Sequence, residues 1–209
     1  MLGDVRARPR QRLRQTSGRR ARRVAAATLA AGAALTASVA FAAASKTVEI
    51  PDAKGDVTGA LDLQRASLNL ASDGRLRAVI TLAAKADPSK MLAESGPPGS
   101  VCVKFWTAED ADPAATRADR LVCVTARTKD ALRATVFSQT APGLPVRVAP
   151  AEVSRNKSGR SLMVRLSQSS LGRPELVRFA VESTRPGCER VSCIDEAPDK
   201  GAVRRFRLR

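Results

Sequence analysis

Alternation of apolar and polar side chains with a period of two restricts the fold of this chain more than any other feature. Residues 76–82 place an apolar side chain at every even position, and residues 132–137, 162–166, 177–182 and 205–209 alternate in a similar way. This pattern is typical of strands that bury one face and expose the other. The sequence therefore predicts about ten short strands in an all-β, antiparallel two-sheet sandwich of jelly-roll or immunoglobulin-like type.

The alternation changes phase once, near the first long strand. Apolar residues are odd-numbered up to Leu63 and even-numbered from Ala66 onwards. One extra residue in a strand produces such a shift, so we predict a β-bulge near residues 64–65. Turn signals rich in Gly and Pro separate the strands. Helix is predicted only as single turns near residues 88–94, 110–118 and 168–172.

The N-terminal segment has the pattern of an export signal. Residues 1–23 contain nine arginines and one aspartate, residues 24–45 contain no charge, and residues 42–44 are three alanines before Ser45. A basic region, an apolar region and a small-residue cleavage site define a signal peptide. We predict a signal peptide over residues 1–45 (basic region 1–23, apolar helix 24–44) and a single β-sandwich domain over residues 46–209.

The same N-terminal segment has two other interpretations. An apolar run of this length can remain as an uncleaved membrane anchor. The arginines can instead form a nucleic-acid-binding arm, but the apolar run that follows them directly disfavours this interpretation. We therefore expect no nucleic-acid partner, no stable membrane span after cleavage, and a secreted or cell-envelope location.

Four cysteines follow the signal segment: Cys102, Cys123, Cys188 and Cys193. An even number of cysteines in an exported chain indicates disulfides. If residues 101–106 and 121–125 form a hairpin, Cys102 lies opposite Cys123, close enough for a bond. We predict the pairs Cys102–Cys123 and Cys188–Cys193, because a zinc or redox site would need two-residue spacings or histidines.

Several short segments support a family resemblance. They are residues 52–57, 61–63, 74–76, 161–166, 170–172 and 188–199. With these segments the chain resembles secreted β-sandwich proteins of actinobacterial type, which are similar to family 9 carbohydrate-binding (DOMON-like) domains. The resemblance implies a sandwich that binds sugars, with haem or calcium in some members. The chain contains no histidine that could ligate haem.

Composition excludes most catalytic chemistry. The chain has neither His nor Tyr, so a His-based triad, a His metal ligand and a Tyr general acid are all excluded. Serines are plentiful, but no nucleophile-elbow motif surrounds any of them. We expect a protein that is not an enzyme.

Two sets of residues are candidates for ligand binding. Trp106 is the single tryptophan and the best sugar-stacking candidate, with packing at the sandwich rim as its alternative role. Seven arginines occupy outward positions of the predicted strands: Arg77, Arg133, Arg147, Arg165, Arg178, Arg205 and Arg207. If they share one sheet they form a basic face for anionic polymers, with Arg133, Arg165 and Arg178 as principal contacts. The alternative is an ordinary solvated face.

Asp52, Asp56 and Asp62 are the best candidate metal ligands. Closely spaced carboxylates suit calcium, but aspartates beside Gly55 also serve as turn residues. We therefore expect no cofactor other than calcium. The predicted function is a non-catalytic, monomeric binding module of the cell envelope for anionic polymers or glycans. The alternative is a structural or protein-interaction domain without a small ligand.

Overall fold

The computed structural model describes residues 46–53, 55, 57, 59–139, 143–188 and 193–208. These residues belong to one unit of the chain, Ala43–Arg209. The predicted signal peptide, its helix and its cleavage site lie outside the described residues, and so does Asp56.

The described residues form eleven strands and very little helix. The strands are β1 (Thr47–Pro51), β2 (Leu63–Leu70), β3 (Leu76–Leu82), β4 (Ser100–Trp106), β5 (Arg120–Ala126), β6 (Leu132–Ser138), β7 (Val146–Arg155), β8 (Ser161–Leu166), β9 (Leu176–Thr184), β10 (Ile194–Ala197) and β11 (Arg204–Arg207). The helical elements are α1 (Pro88–Met91) and a 3-10 helix (Gln168–Leu171). The all-β prediction is confirmed, but residues 110–118 form turns rather than the expected helical turn.

The strands lie on one continuous hydrogen-bonded path in the order β1-β2-β3-β8-β7-β6-β5-β4-β9-β10, with β11 also paired to β9. Every pair is antiparallel, as predicted. β7 pairs with β6 up to Ala151 and with β8 from Glu152 onwards, so it joins the two halves of the path.

The core collects the apolar side of nearly every strand. In β3, for example, Leu76, Ala78, Ile80 and Leu82 are buried while the residues between them are partly exposed. Strands from both halves of the path contribute to the same cluster. The predicted bulge is confirmed, because the β2–β3 register shifts between Leu63 and Arg65.

A buried polar link joins the two ends of the strand path. Ser183 of β9 and Asp195 of β10 are paired in register, and each is 2% exposed. The Asp195 carboxylate accepts a hydrogen bond from the Leu63 N–H at 2.6 Å, and the Ser183 hydroxyl donates to the Leu61 carbonyl at 2.6 Å. We call this pair the Ser183–Asp195 clasp. It satisfies buried backbone groups where the start of β2 meets β9 and β10.

Candidate binding surface

Both predicted disulfides are present. Cys102 is bonded to Cys123 and Cys188 to Cys193, with Cα–Cα distances of 4.0 and 6.1 Å. The predicted hairpin register is confirmed as well, since Cys102 pairs with Cys123 in β4 and β5. Two disulfides are typical of proteins that fold in an oxidising, extracytoplasmic compartment.

Trp106 lies beneath the acidic loop, residues 107–119, rather than on an open surface. It is 5% exposed, it clusters with Ala118 and Ala180, and its Nε1–H donates to the Thr116 carbonyl at 3.0 Å. Sugar stacking requires an exposed ring face, which this packing removes. The structure therefore assigns Trp106 a packing role, as the alternative expected, but its partner is the acidic loop instead of the sandwich rim.

Arg178 also serves the acidic loop. Its guanidinium donates to the carbonyls of Ala108 at 3.2 Å and Glu109 at 2.9 Å. On the other side of the same loop, the Asp119 carboxylate accepts the Thr107 N–H at 2.6 Å. The predicted ligand contact Arg178 is thus engaged in holding the loop over Trp106.

Arg165 and Arg133 approach β7 from its two sides. Arg165 of β8 pairs with Glu152 of β7 and, on its other side, with Arg77 of β3. Ala134 of β6 pairs with Ala151, so Arg133 stands one residue beyond that pair, next to the position of Glu152. Arg147 of β7 and Arg133 also line one surface groove of about 540 Å³. We call Arg77, Arg165, Arg133 and Arg147 the arginine belt.

A fifth arginine binds both carboxylates on this surface. Arg75 forms a two-pronged hydrogen bond with Glu152, at 2.7 and 2.8 Å, and an ion pair with Asp73 at 3.2 Å. The hydrogen bond from the Arg75 guanidinium holds the pKa of Glu152 below its ordinary value, whereas the pKa of Asp73 is lowered chiefly by the hydrogen bond from the Arg75 backbone N–H. Both carboxylates therefore stay ionised and are directed towards Arg75.

Together with Arg75 the belt has five guanidinium groups against these two carboxylates, and Arg165 also interacts electrostatically with both, so the surface keeps a net positive charge. Within the described part of the chain, neither Arg77 nor Arg165 forms an ion pair, and the buried Nε of Arg165 has no hydrogen-bond partner. Arg77 donates through its Nε to the Asn69 side-chain oxygen at 3.1 Å, which orients the guanidinium. The arrangement attracts anions and leaves guanidinium donors to bind them.

The seven arginines are not all neighbours, so the condition for a single basic face that includes all of them is not met. Arg205 pairs with Arg178 and Arg207 with Leu176, all on β9 and β11. The strands β5 and β4 separate these residues from β6, so they belong to a different part of the surface. Alternation correctly predicted outward positions, but the strand order decides which outward residues become neighbours.

Of the predicted calcium ligands, Asp52 and Asp62 lie among the described residues. Asp62 is buried, and both of its carboxylate oxygens accept the Gly55 N–H, at 3.1 and 3.3 Å. Gly55 has φ of 84°, a conformation that glycine adopts readily. These contacts correspond to the turn role, and no group of three or more potential metal ligands occurs within the described residues. Calcium binding remains a prediction.

One cluster of charged side chains was not predicted from the sequence. Lys104 Nζ lies 3.1 Å from Glu182 and 2.5 Å from Glu196, on three neighbouring strands. Burial lowers the pKa of Lys104, but the hydrogen bond to Glu196 and the charge of Glu182 outweigh it, so the pKa lies above its ordinary value. The amine is protonated at neutral pH and is therefore not a nucleophile. Period-two alternation predicts that the side chains of Lys104, Glu182 and Glu196 point away from the core. Their contact with one another depends on the pairing of β4 with β9 and of β9 with β10.

The Arg75–Glu152 contact predicts a dependence of stability on pH. A carboxyl group whose pKa is lower in the folded state stabilises the fold above its unfolded pKa, about 4.3, and loses that contribution as pH falls through the folded pKa. We expect Glu152→Gln to melt below the wild type at pH 7 and at the same temperature near pH 2. Thermal melts across this range measure the difference. Glu94→Gln, at an exposed site, is the control, and a difference that persists at low pH would contradict the linkage.

Comparison with family models, with curated proteins and with solved structures gives no match to this chain. No helix within the described residues combines the length and the apolarity that a membrane span requires.

Proposed function

We propose that this chain is a non-catalytic binding module of the cell envelope whose ligand is an anionic polymer or glycan. The observation that supports it is the arginine belt. Its members Arg77 and Arg165 lie side by side without ion-pair partners among the described residues, while Arg75 holds the nearby carboxylates. An anionic ligand would supply the missing counter-charge.

The chemistry of the surrounding surface favours a repeating phosphate or carboxylate over a neutral sugar. Guanidinium groups match the geometry of both anions, whereas the single tryptophan is buried. The next row along the same face consists of Ser67, Val79, Met163 and Ser154, paired in register. These uncharged side chains leave a flat strip beside Arg77 and Arg165 on which an extended polymer can lie.

The proposal also covers the cellular location of the mature protein and the packing of its sheet. We infer that residues 1–45 direct export and are removed, and that the mature chain is a secreted or envelope-bound monomer. The two disulfides support an oxidising location. We also infer that the two halves of the strand path pack as the layers of a jelly-roll sandwich, with β7 shared between them, in line with the resemblance to family 9 carbohydrate-binding domains.

The test is retention of the protein on a teichoic-acid-type phosphate polymer and on a neutral glucan. We expect binding to the phosphate polymer at about 0.05 M salt, strong weakening at about 0.5 M, and little retention on glucan. Arg77→Gln/Arg165→Gln should weaken binding roughly tenfold, because each lost charge contact contributes modestly. Arg204→Gln/Arg205→Gln, which removes the same charge from β11, is the matched control and should bind nearly as the wild type does.

Two outcomes would overturn the proposal. Equal weakening by both double variants would show that net charge, not the belt, attracts the polymer. Absence of binding to any anionic polymer at low salt would favour the alternative, a structural or protein-interaction domain without a small ligand.

A further inference from the structure

Exposed apolar side chains are concentrated at one end of β7. The described residues include four large apolar side chains that are exposed, and three of them lie within five positions: Leu144 at 90%, Val146 at 63% and Val148 at 49%. A soluble monomer normally scatters such residues singly. We call these three residues the apolar tip.

The strand pairing explains why these side chains are not buried in the core. Val146 pairs with Ser138, the last residue of β6, so Leu144 lies beyond the end of that pairing. The register shifts between Val136 and Phe137, which leaves Val148 unmatched in the ladder. The tip therefore projects past the β6–β7 ladder instead of packing within it.

The same segment is poorly suited to pairing with another strand. Residues 152–155 of β7 pair with β8, and among the described residues the first part of β7 has a strand neighbour on one side alone. Pro150 lacks an N–H, and the bulge interrupts the regular spacing of backbone donors. Proline and bulges are features that protect edge strands from strand addition. A docked protein strand is therefore a poor match for this edge.

The charges around the tip indicate an anionic partner. Arg147 lies between the two valines of the tip in the sequence, and its side chain is on the opposite face of β7 from Val146, because the two residues occupy consecutive positions of the ladder. Residues 143–151 contain no acidic side chain. A second copy of the chain would bring two copies of this cation together, which is unfavourable. Exposed apolar side chains in a segment that carries a cation and no acidic residue are typical of proteins that insert into the headgroup region of anionic membranes.

We propose that the apolar tip inserts into the interfacial region of an anionic lipid bilayer, with Arg147 contacting lipid phosphates. A lipid surface is a second partner in addition to the proposed polymer ligand, although the belt arginine Arg147 serves both. Insertion depends on Leu144 and Val146, whereas polymer binding does not. The two proposals can therefore be separated experimentally.

The experiment measures cosedimentation of the protein, purified from the extracytoplasmic fraction of its host, with phosphatidylcholine vesicles. We expect strong binding when the vesicles contain about 30% phosphatidylglycerol and little binding without it. Leu144→Ser/Val146→Ser should lower the partition coefficient roughly tenfold by removing the apolar area that enters the bilayer. Leu92→Ser, at the fourth exposed apolar site, is the matched control and should leave partitioning unchanged.

A spectroscopic variant tests insertion without removing the apolar tip. Leu144→Trp should show a blue shift of its emission on phosphatidylglycerol vesicles, whereas the wild-type Trp106 signal should not change. Unchanged partitioning of Leu144→Ser/Val146→Ser, no blue shift, or concentration-dependent dimerisation that the same double variant abolishes would overturn the lipid proposal. Vesicle binding without polymer binding would overturn the proposed function alone, and the reverse would overturn the lipid proposal alone.

Discussion

Removal of the Cys102–Cys123 bond by the double substitution Cys102→Ala/Cys123→Ala is expected to lower the free energy of unfolding by roughly 3 kcal/mol. The bond closes a sequence separation of 21 residues, and the unfolded chain gains the entropy of that loop when the link is lost. For a domain of this size the loss corresponds to a fall of about 6–12 °C in melting temperature. Thermal melts of the variant and the wild type measure it.

The second disulfide provides the matched control. Cys188 and Cys193 are five residues apart, so the same entropy argument gives about 2 kcal/mol for Cys188→Ala/Cys193→Ala. If removal of this second disulfide lowered the free energy of unfolding equally or more, the loop-length argument would be contradicted. A Cys102→Ala/Cys123→Ala variant that melts with the wild type would show that the β4–β5 hairpin is held by packing alone.

The single tryptophan adds an independent readout to the same experiment. Trp106 is at the end of β4, four residues from Cys102, and it is buried beneath the acidic loop that connects β4 to β5. If the bond helps to hold this loop closed, its removal should shift the Trp106 emission to longer wavelength before global unfolding begins. Limited proteolysis should then cut first within residues 107–119.

Local structure was predictable because it depends on neighbouring residues. The phase change between Leu63 and Ala66 located the bulge, and the spacing of Cys102 and Cys123 around one loop located the hairpin register. Both predictions used only the period of a strand and the geometry of an antiparallel pair. The outward positions of the arginines were predictable for the same reason.

The assembly of the surface was not predictable, because it depends on strand order. Arg165 and Arg133 flank Glu152 only because β7 pairs with β8 at one end and β6 at the other. The segment that forms β7 has no clear alternation and contains Pro150, which weakens its strand signal. Trp106 was correctly predicted to end the strand that carries Cys102, but its burial depends on how the acidic loop folds over it.

Exchange of the buried Asp195 for alanine is the most direct test of how the ends of the strand path are held together. The Asp195 carboxylate accepts the Leu63 N–H within the protein interior, and alanine would leave that backbone donor without this acceptor. A buried neutral backbone group that loses its partner costs about 1–3 kcal/mol. We therefore expect Asp195→Ala to lower the free energy of unfolding by roughly 1–3 kcal/mol in denaturant melts.

Three further variants distinguish loss of the Asp195–Leu63 hydrogen bond from the destabilisation that any substitution can cause. Asp195→Asn keeps an acceptor oxygen and should cost less than Asp195→Ala, while Asp130→Ala, in the exposed turn between β5 and β6, should cost about 0.5 kcal/mol or less. Ser183→Ala should cost about 1 kcal/mol, and its effect should not add to that of Asp195→Ala because the two residues form one clasp. Full additivity, or an Asp195→Ala variant as stable as the wild type, would mean that core packing alone closes the strand path and the clasp is incidental.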